Sequence, residues 1–203
     1  MTHVQGKLVS TTKPPMELAI FDLETTGFSP TRDEIIQIAA VRIRDGEVVA
    51  GESFASFVRP EKRVPYFITE ITGVTPADVC DAPDPASALQ AFSRFVGDAT
   101  LVAHNGWRFD LSFIRETCKR HQLAMREVPF FDSLSLSRLV WSGADSHSLD
   151  AIMDRLGLSG DGHRRHDARG DVQILAEAVG RMWRLCAEPE CCPVPIAGGH
   201  LPN

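Results

Sequence analysis

Three places in this 203-residue chain set carboxylates where an apolar run gives way to polar residues. In Phe21-Asp22-Leu23-Glu24-Thr25-Thr26-Gly27, Asp22 and Glu24 stand two apart at the end of the run Leu18 to Phe21. On a strand that spacing sends both side chains to one face. Like charges held so close beside a buried strand repel each other and resist desolvation. A divalent cation relieves both problems, and Mg²⁺ or Mn²⁺ takes oxygen ligands. Taken alone, a D-x-E pair is a common accident of sequence. The second place is Leu101-Val102-Ala103-His104-Asn105-Gly106-Trp107-Arg108-Phe109-Asp110, where Asp110 opens an amphipathic helix. Alone, Asp110 reads as an N-cap and Asn105 as a loop residue. The third is His163-Arg164-Arg165-His166-Asp167-Ala168-Arg169-Gly170-Asp171, leading into the last helix. Its acids alone read as an acidic helix start favoured by the helix dipole.

The conjunction outweighs these separate readings. Three element ends each offer a carboxylate, and one adds a histidine. Such a set suits two-metal phosphodiester hydrolysis, with histidine as the base that takes a proton from water near neutral pH. Two registers are conceivable for the third place, His163 with Asp167 or His166 with Asp171. The second is preferred. Asp171 directly precedes the apolar stripe that starts at Val172, so it can point inward. Five residues span about 140° around a helix, which leaves His166 in the preceding loop.

The elements that must position these residues follow from periodicity. Leu18 to Phe21, Ile35 to Ile43 and Val48 to Val58 read as strands, with Asp45-Gly46 as a hairpin turn. Leu89, Phe92 and Val96 stripe a helix over 85–96, and Thr100 to Ala103 is a short buried strand. Leu111, Ile114 and Cys118 stripe a helix ending near His121, and further helices are expected over 133–141, 148–156 and 168–185. A three-stranded antiparallel opening meander followed by mixed helices and strands is an α/β pattern with a mixed central sheet. The expected organisation is a flexible arm over 1–15, one domain over 16–185 and a Pro/Gly-rich tail over 186–203.

Composition sets the outer limits. A 43% apolar content in a chain of this length suits one globular domain that needs no disulfide or metal staple. The net charge of −6 excludes a simple basic nucleic-acid-coating protein but leaves nucleic acid open as a substrate. Two divalent ions would offset most of that charge. Arg155, Arg164, Arg165 and Arg169 turn the sign positive near the third place and are candidates for phosphate contacts. No apolar run reaches the roughly 20 residues of a membrane-spanning helix, and residues 1–16 lack a signal-peptide core. Five cysteines without a paired C-x-x-C suit a reduced, cytoplasmic protein. Cys186, Cys191, Cys192 and His200 match no common zinc spacing.

The motifs resemble the DnaQ-like DEDDh exonuclease family, which includes the proofreading epsilon subunit of bacterial DNA polymerase III. F-D-L-E-T-T-G-F-S-P with D-E-I-I-Q-I-A-A-V is similar to the family's first motif, H-N-G-W-R-F-D to its second and H-D-A-R-G-D to its third. I-T-G-V-T over 71–75 matches a further recurrent segment. The resemblance implies an RNase H-like fold and 3′→5′ exonuclease activity on DNA, in proofreading or repair. It implies that Asp22, Glu24, Asp110 and Asp171 hold two Mg²⁺ or Mn²⁺ ions and that His166 is the general base. It assigns Thr25, Gly27, Phe28, Ile71 and Asn105 to the substrate, with Phe28 and Ile71 wedging the terminal base. The implied partners are nucleic acid with a free 3′ end, single-stranded or frayed, and a DNA polymerase subunit. Three residues separate Asn105 from Phe109 where epsilon subunits have two, a spacing more like the Trex-type exonucleases. A freestanding nuclease, an exoribonuclease and a catalytically silent nucleic-acid-binding module are the alternatives.

Overall fold

A computed structural model describes residues 17–159, 167–186 and 196–203. The chain opens with the antiparallel meander β1 (Glu17–Thr25), β2 (Ile35–Arg44) and β3 (Glu47–Phe57). The β2–β3 turn is Asp45-Gly46, with φ of 52° and 85°, as its sequence demands. Two short helices follow, α1 (Tyr66–Thr72) and α2 (Pro76–Val79), then α3 (Pro85–Val96). Next come β4 (Thr100–Ala103), α4 (Asp110–Arg120), β5 (Met125–Asp132), α5 (Ser133–Val140), α6 (Leu149–Leu156), α7 (Ala168–Leu185) and β6 (Ile196–Pro202). The six strands form one mixed sheet in the order β3-β2-β1-β4-β5-β6, with β4 parallel to β1 and to β5.

Alternation along β1 divides the core. Ala19, Phe21 and Leu23 pack with α3 and α4, where the Phe21 and Phe92 rings sit 5.4 Å apart. Leu18 and Ile20 pack on the other face against Val172, Leu175, Val179 and Met182 of α7. Since side chains alternate, Asp22 and Glu24 continue the row of Leu18 and Ile20 on the α7 face. That phase is what delivers the acidic pair to the start of α7. Ile36, Val64, Ile68, Val74 and Val79 make a small separate cluster that fastens α1 and α2 to the start of β2.

The expected strands and helices are present, while α1, α2, β5 and β6 add to them. The segment read as a tail contains β6, which pairs antiparallel with β5 from Met125↔Pro202 to Phe130↔Ile196. Its glycines have a packing reason. A Cβ on Gly198 would come within 2.8 Å of the Trp107 ring, and one on Gly199 within 2.8 Å of Val128. The strand is therefore Gly-rich because it lies tight against its neighbours. Among the described residues no helix is long and apolar enough to cross a membrane.

Candidate active site

The site lies where β1 ends and α7 begins. One oxygen each from Asp22, Glu24 and Asp171 falls within 4.8 Å of the others. Asp171 sits in the first turn of α7 and is buried, placed there by the N-cap Asp167, whose carbonyl accepts from the N–H groups of Gly170 and Asp171 at 2.9 and 3.0 Å. Asp110 opens α4 at only 3% exposure, and its Oδ1 has no hydrogen-bond partner among the described residues. So Asp110 is not the N-cap of its helix. Phe109 occupies that position and makes no side-chain cap.

The electrostatics follow from crowding. Burial first, then the charges of Asp22, Asp171, Asp110 and Asp167, push Glu24 up to about 9. Burial, and next the charge of Asp22, hold Asp110 well above the usual carboxylate range, partly offset by backbone N–H groups of Asp110 and Leu23. A buried carboxylate oxygen without a donor costs free energy unless something positive meets it. The donor set here is all oxygen, which fits hard divalent cations such as Mg²⁺ or Mn²⁺. The residues present therefore fit the ions that the sequence implied.

The loop before Asp110 is held firmly. Asp132, at the end of β5, accepts from Asn105 N at 2.8 Å and Trp107 N at 3.2 Å, and it caps α5 through Leu134 N at 3.0 Å. Asn105 takes a positive φ of 57° and is exposed. Gly106 packs so closely that a Cβ would stand 2.4 Å from that of Ala103 and 3.4 Å from Asp110 Oδ2.

On the other side, Thr25 Oγ1 donates to Gly27 O at 2.5 Å, and Thr26 ties back to Glu34 through two hydrogen bonds of 2.8 and 2.9 Å. The resulting loop lifts Phe28 to 72% exposure. On α1, Ile68 takes the core position and Ile71 stays 42% exposed, so core packing does not account for Ile71.

His163, His166, Arg164 and Arg165 lie outside the described residues. Arg169 pairs with Asp167 and lies over the Phe57 ring, and Arg155 lies over Trp141. Sequence reasoning passed over Asp132 and Gln37. Gln37 sits opposite Glu24 in the β1–β2 register and reaches Asp167 and Ala168. Its signal was a lone polar residue inside Ile35-Ile36-Gln37-Ile38-Ala39-Ala40.

The sequence profile of the exonuclease family matches residues 19–179. A DNA polymerase III subunit epsilon-like protein of Rhodobacter capsulatus is 41% identical over 182 residues, covering 88% of this chain and 25% of that protein. A PolC-type DNA polymerase III of Latilactobacillus sakei is 40% identical over 172 residues, covering 85% of this chain and 12% of that protein. The chain thus spans a quarter or less of the length of these curated relatives. Among solved structures, exonuclease X in complex with 5′ overhanging duplex DNA aligns at a TM-score of 0.66 and 25% identity, over 82% of this chain and 91% of that one. The nuclease domain of 3′hExo, a DEDDh family member bound to rAMP, aligns at a TM-score of 0.72 and 20% identity, over 84% and 92%. The sheet and its flanking helices are the RNase H-like fold that the sequence resemblance implied.

Proposed function

This chain belongs to the exonuclease family, and from that premise we propose that it is a metal-dependent 3′→5′ exonuclease that removes nucleotides from a free 3′ end of DNA. One observation carries the proposal. Asp22, Glu24 and Asp171 converge within 4.8 Å, and Asp110, whose charge bears on both Asp22 and Glu24, keeps a buried oxygen without a hydrogen-bond partner among the described residues.

Asp22, Glu24, Asp110 and Asp171 would hold two Mg²⁺ or Mn²⁺ ions, which when bound neutralise charge on the phosphate and lower the pKa of water. The chain's own groups do the remainder. His166, the residue before the α7 cap, takes the proton of the attacking water on its imidazole. Phe28 and Ile71 offer open apolar surface to the terminal base, and stacking on an aromatic contributes roughly 1–3 kcal/mol without demanding sequence. Thr25 and Gly27 fix the turn beneath Phe28, and Asn105 lies exposed at the head of the loop that leads to Asp110. The names of the polymerase III relatives favour DNA and make a DNA polymerase subunit the proposed partner, in proofreading or repair. In this reading the exonuclease unit would include β6, since β6 completes the sheet beside β5.

The test is digestion of 3′-labelled linear single-stranded DNA, mismatched duplex and short RNA, with circular single-stranded DNA as control. Mg²⁺ should support mononucleotide release from the linear DNA and EDTA should stop it. Cleavage of the circle at the linear rate would replace the exonuclease reading with an endonuclease. Faster release from RNA would transfer the proposal to an exoribonuclease.

A further inference from the structure

Gln37 is 2% exposed, in a strand whose neighbouring positions are all aliphatic. An amide at such a position is costly unless both of its ends are bonded. Here both are. Nε2 donates to Asp167 Oδ1 at 3.3 Å, and Oε1 accepts from Ala168 N at 3.2 Å. These bonds join β2 to the first turn of α7, across 130 and 131 residues of sequence. In the sheet Gln37 pairs with Glu24, so the bridge lies at the level of the acidic pair. Asp167 is the N-cap of α7, and its carbonyl accepts from Asp171 N, one turn along.

We infer that Gln37 is a positioning residue: its amide sets the start of α7 against the β1–β2 pair and so fixes Asp171 at the distance at which it can share a cation with Asp22 and Glu24. Both polar ends of Gln37 are engaged by α7, so it acts through Asp167 and Ala168. The inference rests on the metal-dependent reading above and adds a residue to it. A leucine would fill the same space without linking the two elements. A glutamate would keep the acceptor for Ala168 N and set a carboxylate against Asp167. That repulsion falls on Asp167 Oδ1, the oxygen that also accepts from Arg169 N at the α7 cap.

The experiment measures binding of Mn²⁺ alone to the full chain by calorimetry and by the rise in melting temperature, so no turnover is needed. Partners that orient metal ligands typically cost 10–100-fold in metal affinity or activity when lost, and Gln37→Leu should weaken Mn²⁺ binding by roughly that factor. The half-activating metal concentration should rise in parallel while KM for DNA holds. Val179→Ala, a core truncation further along α7, should lower the melting temperature and leave the Mn²⁺ dissociation constant unchanged. Gln37→Glu should bind Mn²⁺ at least as poorly as Gln37→Leu, since it adds a charge beside Asp167. Wild-type Mn²⁺ affinity in Gln37→Leu would overturn the assignment. If that variant does not fold, wild-type Mn²⁺ affinity in Gln37→Glu would overturn it instead. A wild-type chain that binds no Mn²⁺ would bring down the metal reading itself and this inference with it.

Discussion

Two aspartates stand beside one loop and treat charge in opposite ways. Asp132 gives its carboxylate to three backbone N–H groups, those of Asn105, Trp107 and Leu134, at 2.8, 3.2 and 3.0 Å. Asp110, at the far end of the same loop, is 3% exposed and leaves Oδ1 with no hydrogen-bond partner among the described residues. The first arrangement stabilises the fold by itself, since a carboxylate that accepts backbone N–H groups is satisfied as an anion. The second is unfavourable to the fold until a cation arrives. The contrast separates scaffold from site: both side chains are carboxylates beside one loop, and only their partners tell them apart.

The two kinds of carboxylate should part most clearly under mutation. Asp22→Ala, Glu24→Ala and Asp110→Asn should each reduce hydrolysis to background in Mg²⁺, while the EDTA-treated variants melt no lower than wild type. A melting temperature several degrees lower in EDTA would place these residues with Asp132 as supports. His166→Ala should lower turnover by roughly 10²–10⁴-fold, the usual contribution of a general base, with Mn²⁺ affinity little changed. His163→Ala should stay within a few-fold of wild type, and only the His166 variant should lose the acid limb of the pH–rate profile. If His163→Ala is the crippled variant, the base assignment passes to His163 and the third motif shifts register.

Asp132→Ala should destabilise by about 1–3 kcal/mol, the cost of leaving donors unmatched, equally with and without Mn²⁺. Equal loss under both conditions is what distinguishes it from the site acids, and a defect confined to the Mn²⁺ arm would erase the contrast. The smallest effect is a pH trend. Glu24 titrates near 4.5 in the unfolded chain and is pushed up to about 9 in the metal-free fold, mainly by burial. Between those values the folded state holds the extra proton, so metal-free stability should fall as pH rises from about 5 to about 9. Glu24→Gln should flatten that slope, and an unchanged slope would assign the titration elsewhere.

Much of this was legible in the sequence because the signals are local. The D-x-E spacing on a strand fixes a common face, and the stripe from Val172 to Met182 fixes which side of α7 turns inward. The rest is set by distant contacts. Pro129 and the charged Arg126 and Glu127 disguise β5, yet the proline falls at a bulge, and pairing with β4 begins only at Phe130. Gly198 and Gly199 look like linker residues until Trp107 and Val128 are placed against them. Gln37 carries a visible sign, a polar residue in an aliphatic strand, but its partners lie 130 residues away. For Ile71 the sequence does not tell which isoleucine of α1 turns inward; contacts from β2 and the following loop bury Ile68 and leave Ile71 exposed.

The central claim is that four repelling carboxylates are kept together for a cation. Its most direct test compares wild type with Asp22→Ala, measuring melting temperature in EDTA and in saturating Mn²⁺ and 3′-end release on the same samples. Mn²⁺ should raise the melting temperature of wild type and leave the variant nearly unmoved, the variant should be at least as stable as wild type in EDTA, and only wild type should release nucleotides. Equal stabilisation of both proteins by Mn²⁺, or near-normal release by Asp22→Ala, would contradict the account.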